Sequence, residues 1–347
     1  MRPHALLVAA TVALLACAKS EPTSTPTVAA TDAASAQRAA QSIAESDFLR
    51  MLSVIADDSM RGRATPSPEL EKTASYIASA FAQAGLTAGG DNGTFIQRFT
   101  LTSPSGASAP NVVGVLEGSD PALRSQYVIV NAHMDHIGVV GGGQNCAQSG
   151  ADVICNGAND NGSGAIGIVQ LARAFASLTT RPRRTMIFAT FGGEERGLLG
   201  SAYFAAHPTR PIANAAAEIN LDMIGRNARD SLFVLGKSYS SMNTTVSAVS
   251  SAHPDVGMKL VDDGWNGLYF TRSDHYSFVK LGVPVLFFFN GVTSELHTAA
   301  DHVALMDTNT AVRSLQMIFY VALEVANADA RPTWDAAARA RWVPAGR

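Results

Sequence analysis

The sequence has little excess of charge of either sign. Its 347 residues include 26 Lys and Arg against 29 Asp and Glu, so the formal net charge is −3. A basic excess is the usual electrostatic feature of proteins that bind nucleic acid, and its absence argues against that class of partner. Internal repeats are also absent. With 47% hydrophobic residues, the chain has the composition of a globular enzyme of one large domain or two small ones.

The apolar run at the N-terminus is too short to span a membrane. It extends from Ala5 to Leu15 after a basic start, as the apolar part of an export signal does. The run ends in Leu14-Leu15-Ala16-Cys17, which resembles a bacterial lipoprotein box. That resemblance implies a signal peptide over residues 1–17 and lipids on Cys17 that anchor the protein to a bacterial membrane. Since no Asp follows Cys17, we expect the outer membrane, facing the periplasm or the cell surface; an ordinary secretory signal is the alternative.

Cysteine is scarce. Of the three cysteines, Cys17 is accounted for by the lipid, and the other two, Cys146 and Cys155, lie in one glycine-rich loop over residues 138–157. Export to an oxidising compartment predicts that these two form a disulfide, with two free thiols as the alternative. A zinc site made of thiolates is disfavoured because no second cysteine pair would complete it.

Apolar strands alternate with helical segments along most of the chain. This order predicts an α/β fold: a single domain with a mixed, mostly parallel β-sheet and helices on both faces. The predicted domain covers residues 45–329. Before it, residues 18–44 are rich in Ser, Thr, Ala and Pro and are predicted to be a flexible tether. After it, residues 330–347 are predicted to be a loosely held tail.

Polar side chains follow the buried strands at the points where the strands end, or lie on the loops there. Each one alone has a simpler explanation; an isolated Glu-Glu pair, for example, is usually a solvated acidic turn. In a parallel sheet, however, these positions meet at one edge, where several acids and two imidazoles would need cations to hold them together. The residues are His133, Asp135, Asp160, Glu194, Glu195, Asp222 and His297.

A donor set of carboxylates and imidazoles without thiolate suits zinc, with manganese or cobalt as rivals. The number of donors separates one ion from two. Two imidazoles and three carboxylates suffice for a pair of divalent ions that share one carboxylate, and a further carboxylate is then left as a general base.

Six motifs, in this order, resemble the two-zinc aminopeptidases of family twenty-eight of the metallopeptidases. The resemblance extends from about Phe48 to Ala326 and implies the zinc-dependent exopeptidase fold. The motifs are His133-Met134-Asp135, the segment from Gly157 to Gly164, Gly192-Gly193-Glu194-Glu195, Asn220-Leu221-Asp222-Met223, Ser273-Asp274-His275 and Leu296-His297-Thr298.

The family pattern implies a role for each matching residue. His133 and Asp222 would hold one zinc ion, Glu195 and His297 the other, and Asp160 would bridge both. The peptide bond between Asp160 and Asn161 would be cis, as it often is in the family.

Two further carboxylates have implied roles that do not require direct metal contact. Glu194 would be the general acid and base that activates water. Asp135 would accept the second imidazole proton of His133 and fix the tautomer of that ring.

Other polar residues near the motifs are expected to have supporting roles. Asp274 and His275 are interpreted as a helix start and as support rather than as ligands. Asp301 either orients His297 or is a solvated acid, and His136 is expected to be a surface or structural residue. Where some relatives place Tyr before the last ligand, this chain has Leu296, so Tyr269 or Tyr276 is left as a candidate donor to the oxyanion.

The resemblance implies an exported aminopeptidase that acts on the N-termini of peptide substrates. A glutaminyl-peptide cyclase shares the fold but resembles a one-zinc site. Di- or carboxypeptidases share the metal core. A non-catalytic binding module is the least expected alternative, because such modules typically lose ligands and this chain retains all of them.

Overall fold

A computed structural model describes residues 32–103, 106–262, 264 and 267–346. The predicted signal peptide and Cys17 lie outside these residues. Within them, the strands are β1 (Thr87–Ala88), β2 (Ile96–Thr100), β3 (Ser108–Leu116), β4 (Tyr127–His133), β5 (Thr185–Phe191), β6 (Ala215–Asp222), β7 (Ser231–Leu235), β8 (Lys259–Val261) and β9 (Val285–Phe289). The α-helices of the same residues are α1 (Ala33–Gln41), α2 (Glu45–Ile55), α3 (Pro68–Gln83), α4 (Gly164–Ala176), α5 (Leu199–Ala206), α6 (Met242–Ala252), α7 (His275–Val279), α8 (Thr308–Asn327) and α9 (Ala336–Trp342).

The strands form one mixed sheet in the order β1-β3-β5-β4-β6-β9-β7-β8, with β2 also paired to β3. Strands β5, β4, β6 and β9 are parallel to their neighbours in this central part. Antiparallel pairing occurs toward both edges, where β3 meets β5 and β7 meets β9. The predicted α/β fold with a mostly parallel sheet is confirmed.

Helices cover both faces of the sheet because the side chains of each strand alternate between the faces. On one face, the ring of Phe175 from α4 lies 5.7 Å from Phe188 of β5 and 4.7 Å from Phe319 of α8. On the other face, the rings of Phe191 and Phe204, from β5 and α5, are 5.5 Å apart. The central strands are buried on both faces, which explains why they are continuous apolar runs in the sequence.

The segment predicted to be a flexible tether contains a packed helix. Helix α1 begins after Asp32, whose carboxylate accepts a hydrogen bond from Ala34 N, and it contacts α4 and α8. Its alanines at positions 36, 39 and 40 are buried. The tether prediction is therefore wrong for residues 33–41, because alanines spaced along one helix face supply a narrow apolar stripe that composition alone conceals.

The C-terminal segment is also attached to the domain, so the prediction of a loosely held tail is wrong for residues 330–346. The indole Nε1 of Trp334 donates to Gly282 O at 2.9 Å. Trp342 of α9 packs 4.9 Å from the ring of Phe270. Two tryptophans thus anchor a segment whose Ala, Arg and Pro content indicated little structure. In the described residues, no helix is both long enough and apolar enough to cross a membrane.

One acidic side chain lies inside the sheet core. Glu218 of β6 is fully buried, and one of its carboxylate oxygens accepts a hydrogen bond from Asn131 of β4. Its other oxygen has no partner in the described part of the chain. Burial raises the pKa of Glu218 well above its ordinary value, and Asp274 adds to that effect.

This raised pKa makes the stability of the protein dependent on pH. Above the ordinary carboxyl pKa of 4.5, the unfolded chain releases a proton that folded Glu218 retains, so the free energy of unfolding falls as pH rises toward the folded pKa. We expect Glu218→Gln to reduce this fall as the pH is raised above about 5, measured by urea denaturation. Glu324→Gln, on the exposed side of α8, is the control. An unchanged pH dependence in Glu218→Gln would contradict this account.

Candidate metal centre

The parallel strands bring the predicted site residues to one edge of the sheet. His133 is the last residue of β4 and Asp222 the last of β6. Glu194 and Glu195 follow β5 after two glycines, and His297 lies in the loop after β9. Because these four strands are neighbours with their carboxyl ends on the same side, side chains far apart in sequence meet there.

Asp160 lies between two sets of donor atoms. Its Oδ1 is 3.4 Å from His133 Nε2, and that nitrogen is 3.4 Å from Asp222 Oδ1. Its Oδ2 is 3.3 Å from His297 Nε2, and that nitrogen is 3.1 Å from Glu195 Oε2. Donor atoms about 3.3 Å apart match the edges of a tetrahedral zinc site with bonds of about 2.0 Å. All five predicted ligands are therefore close together, with spacings that fit a metal ion on each side of Asp160.

Glu194 lies beside these donors in the wall of a cavity. One of its oxygens is within 4.8 Å of donor atoms of His133 and Asp222. Burial raises the pKa of Glu194 well above its ordinary value; His133 opposes this shift, and Asp274 and Glu195 reinforce it. A raised pKa makes this carboxyl group a stronger base, which suits a group that accepts and returns a proton.

Asp135 supports the site through different contacts from those predicted. His133 Nδ1 is 3.2 Å from the main-chain carbonyl of Asp135 and 3.7 Å from its carboxylate. The carboxylate instead accepts hydrogen bonds from Thr65 Oγ1 at 2.8 Å and from Glu194 N at 3.2 Å. Asp135 thus joins the loop after β4 to the turn that carries Glu194.

The turn from Ala158 to Ser163 presents Asp160. The peptide bond from Asp160 to Asn161 is cis, as the family resemblance implied. Asp301 holds this turn: its carboxylate accepts hydrogen bonds from Asn159 N at 3.0 Å and from Asp160 N at 3.0 Å. Asp301 is therefore neither a solvated acid nor bonded to His297. It positions the main chain of the predicted bridging residue.

His136 was expected at the surface or in a structural role, and the surface alternative is wrong. The residue is fully buried, and its Nδ1 lies 2.8 Å from Glu195 Oε1. Its ring centroid is 5.7 Å from that of His297. His136 therefore holds Oε1 of Glu195, whereas His297 lies beside Oε2. The His-x-Asp-His spacing directly after β4 was the available sequence signal.

Arg63 is a second residue that the sequence did not single out. Its fully buried guanidinium donates to Met134 O at 3.0 Å, Ile55 O at 2.9 Å and Gly157 O at 2.9 Å. Burial lowers its pKa to about 10, and nearby carboxylates, led by Asp135, oppose that shift. Arg63 remains a cation at neutral pH and ties together the loops that carry His133 and Asp160. In the sequence it resembles any arginine of a polar turn.

Asp274 and His275 lie behind the donors, at the start of α7. His275 Nε2 is 2.8 Å from Phe270 O, and burial lowers the pKa of this ring to about 3, so it is neutral. Asp274 is fully buried, makes no capping hydrogen bond, and has its pKa raised to about 7, chiefly by burial. The prediction that Asp274 caps the helix start is therefore wrong. Both positions agree with support rather than direct ligation.

The donors open into a cavity of about 470 Å³. Its other walls are mostly apolar. They include Tyr269, whereas the other candidate hydroxyl donor, Tyr276, is not among them. The lining beyond the donors is Met223, Tyr269, Arg272, Phe287, Phe289, Val292 and Leu296.

The predicted disulfide is confirmed. Cys146 and Cys155 are joined, and their Cα atoms are 5.9 Å apart. The bond closes part of the glycine-rich loop beside the donors. Ala147, next to Cys146, hydrogen-bonds through its N–H to His297 O at 2.9 Å.

Residues 111–322 match the family model described as peptidase family M28. The chain belongs to peptidase family M28. Among its curated relatives, it is 28% identical to leupeptin-inactivating enzyme 1 of Streptomyces exfoliatus. The alignment spans 244 residues, which are 70% of this chain and 48% of that protein. It is 33% identical over 138 residues to a probable zinc metalloprotease of Pyrenophora teres f. teres, covering 40% of this chain and 26% of the relative. The chain thus spans about half the length of the first relative and about a quarter of the length of the second.

Solved structures confirm the fold of this M28 chain. The LapA aminopeptidase of Legionella pneumophila superposes with a TM-score of 0.63 at 20% identity, over 84% of this chain and 75% of that one. The glutaminyl cyclase of Porphyromonas gingivalis superposes with a TM-score of 0.60 at 16% identity, over 80% of this chain and 97% of that one. Since an aminopeptidase and a glutaminyl cyclase superpose about equally well, the fold alone does not separate the two activities.

The contact between His136 and Glu195 should strengthen metal binding. Removing a residue that holds a ligand typically weakens metal affinity about 10- to 100-fold. We therefore expect His136→Ala to weaken zinc binding by about this factor, measured by competition with a chelator of known affinity.

His253→Ala is the matched control, because His253 stacks on Tyr320 at 3.5 Å, away from the donors. The control should bind zinc as the unmodified protein does. Equal affinities of His136→Ala and the unmodified protein would show that His136 does not hold Glu195 for the metal.

Proposed function

We propose that this M28 chain is a two-zinc aminopeptidase that removes N-terminal residues from peptides. The observation that carries the proposal is the position of Asp160, whose two oxygens face different donor sets at 3.3–3.4 Å. Asp160 would bridge the ions, with His133 and Asp222 on one side and Glu195 and His297 on the other. The same donors would also accept manganese or cobalt.

Divalent ions bound at these donors would supply a water of lowered pKa and a positive field for the carbonyl oxygen of the substrate. The residues of the chain have separate tasks. Glu194 takes the proton from the attacking water and passes it to the nitrogen of the leaving peptide, as its raised pKa permits. Asp135 holds the main chain of Glu194, and so keeps this carboxylate turned toward the reacting atoms.

The lining of the cavity supports action at an N-terminus. Apolar residues such as Phe287 and Phe289 line it and would receive the first side chain of a peptide. Glu194 and Asp222 line it too and would attract the free α-amino group, which is a cation. A peptide bound in this way would have its first peptide bond beside the donors.

One observation favours a di- or carboxypeptidase as the second candidate. Arg272 lines the same cavity and is exposed. No carboxylate of the described residues lies within ion-pair distance of its guanidinium, so it could bind the carboxylate of a short substrate. A cyclase is less well supported, because His133 and Asp222 both remain beside Asp160 and provide for a second ion.

The aminopeptidase proposal predicts which peptides are cleaved. A peptide with a free N-terminus should lose its first residue whether or not its C-terminus is blocked, whereas an N-acetylated peptide should remain intact. Chelation should abolish cleavage. Glu194→Gln should lower kcat by about 10²- to 10⁴-fold while retaining its metal, and Glu324→Gln should match the unmodified protein.

Mass spectrometry of the products and metal analysis of the variants provide the measurement. Cleavage that requires a free C-terminus would favour the second candidate. Cleavage that persists after the metal is removed would refute the metal mechanism.

We also propose that Cys17 carries lipids and anchors the protein to a bacterial membrane, as expected from its lipoprotein-like box. The outer membrane, with the domain facing the periplasm or the cell surface, is the proposed location. Support comes from the sequence of residues 14–17 and from the absence of Asp after Cys17.

Replacing Cys17 should release the protein from the membrane. In detergent phase partition of bacterial cells, we expect the unmodified protein in the detergent phase. Cys17→Ser should either appear in the aqueous phase or retain its signal peptide. Ser20→Ala, in the same segment, should partition as the unmodified protein does. Aqueous partition of the unmodified protein would rule out the anchor.

A further inference from the structure

We propose that a second cavity binds the part of the peptide that leaves, and that Gln144 is the residue that recognises its main chain. This inference rests on the proposed peptidase function. The cavity has a volume of about 290 Å³ and shares Glu195 and His297 with the first cavity. A peptide that extends from the first cavity into the second therefore passes over these two donors, where its first peptide bond would be cleaved.

The two cavities have different chemistry. The wall of the first is mainly apolar and suits one side chain. The second is lined by Gly143, Gln144, Asn145 and Arg196, together with Ile137. Each residue of a leaving peptide presents a main-chain N–H and a carbonyl, which need hydrogen-bond partners when they are removed from water. A wall that carries amide side chains and exposed main chain can supply them.

Gln144 has the unused hydrogen-bonding groups that this role requires. Both its Oε1 and its Nε2 are buried, and neither has a partner in the part of the chain that the structure describes. Leaving such a group unpaired destabilises a protein. A carboxamide is both a donor and an acceptor, so it can bind the carbonyl and the N–H of a peptide main chain. To reach a peptide, the amide must turn toward the cavity that Gln144 lines, and it loses no hydrogen bond to the described residues when it does so.

The position of Gln144 is tied to the predicted metal ligands. Cys146 N donates to Gln144 O at 2.9 Å, and Cys146 is held by its disulfide to Cys155. The next residue, Ala147, pairs with the His297 segment on both sides: its N–H donates to His297 O at 2.9 Å, and its carbonyl accepts from Ala299 N at 2.8 Å. These hydrogen bonds fix the wall of the second cavity beside His297. The wall therefore loses less conformational entropy when a peptide binds.

The far wall of the cavity is fixed as well. The guanidinium of Arg196 donates to Thr65 O at 3.0 Å and to Ser103 O at 2.7 Å. Arg196 follows Glu194 and Glu195 directly, so this anchor also belongs to the turn that carries the donors. The leaving peptide would lie between this wall and Gln144.

Two substrates with the same first residue separate recognition of the leaving peptide from the rest of catalysis. One is a tetrapeptide, and the other is an aminoacyl p-nitroanilide, which has no peptide main chain beyond the cleaved bond. We expect Gln144→Ala to lower kcat/KM for the tetrapeptide about tenfold, mainly through KM, as the loss of one or two hydrogen bonds would do. For the nitroanilide, we expect a change of less than about twofold.

Gln148→Ala is the matched control. Gln148 lies in the same loop but is exposed, and its Nε2 donates to Gly150 O at 2.8 Å. Both substrates should be cleaved normally by this variant. Equal losses for both substrates in Gln144→Ala, or no loss for either, would overturn the proposal.

A binding measurement keeps this test separate from the proposed activity. If the unmodified protein cleaves neither substrate, the proposed aminopeptidase function fails, and the role of Gln144 is then decided by calorimetry with the tetrapeptide. The comparison is between Glu194→Gln and the double variant Glu194→Gln with Gln144→Ala. A Kd about tenfold higher in the double variant supports the peptide site, whereas equal Kd values or no binding overturn it.

Discussion

The structure depends on a concentration of negative charge at one edge of a parallel sheet. Asp160, Glu194, Glu195 and Asp222 converge within a few ångströms of two imidazoles, in surroundings largely removed from water. Carboxylates in such a place repel one another and lose their hydration, so the arrangement needs positive charge to be stable. Under the proposed function, two metal ions held by the donors around Asp160 would supply that charge. The fold brings the acids together, and bound ions would let them act as ligands rather than repel one another.

The protein also stabilises this edge with its own groups. Arg63 places a buried cation near the donors. Its guanidinium donates hydrogen bonds to main-chain carbonyls of the two loops that carry His133 and Asp160. Asp301 and Asp135 are acceptors where Arg63 is a donor. Their carboxylates accept hydrogen bonds from the main-chain N–H groups of Asp160 and Glu194. These contacts set the backbone before any ligand is bound. The site is thus preorganised by residues that need not touch a substrate.

Much of the donor set could be predicted from the sequence because the hydrophobic pattern of the chain reveals the strands that carry it. Buried strands are visible as apolar runs, and the residues that follow parallel strands must meet, which is why His133, Glu195 and Asp222 were found. Asp160 and His297 were candidates as well, but they lie on loops whose paths no local pattern specifies, and their individual ligand roles came only from the family resemblance. The metal-binding roles themselves stay predictions.

The residues that were missed depend on tertiary contacts. His136 and Arg63 are polar residues in loops, and only the packing around them distinguishes them from solvated side chains. Asp301 was placed near the site, but its actual partner, the main chain at Asp160, is more than a hundred residues away in sequence. Helix α1 was misread for a related reason: alanine contributes so little apolar surface that its burial depends on the neighbouring helices, α4 and α8.

The early start of ordered structure limits how far the domain can stand from a bilayer. Helix α1 begins at Ala33 and packs on the body of the protein. If Cys17 is held by lipids, only residues 18–32 separate the lipid surface from that body. Fifteen fully extended residues span at most about 50 Å. The start of α1 would then lie within about 50 Å of the lipid surface, so the enzyme would meet peptides that pass close to that surface rather than those throughout the compartment.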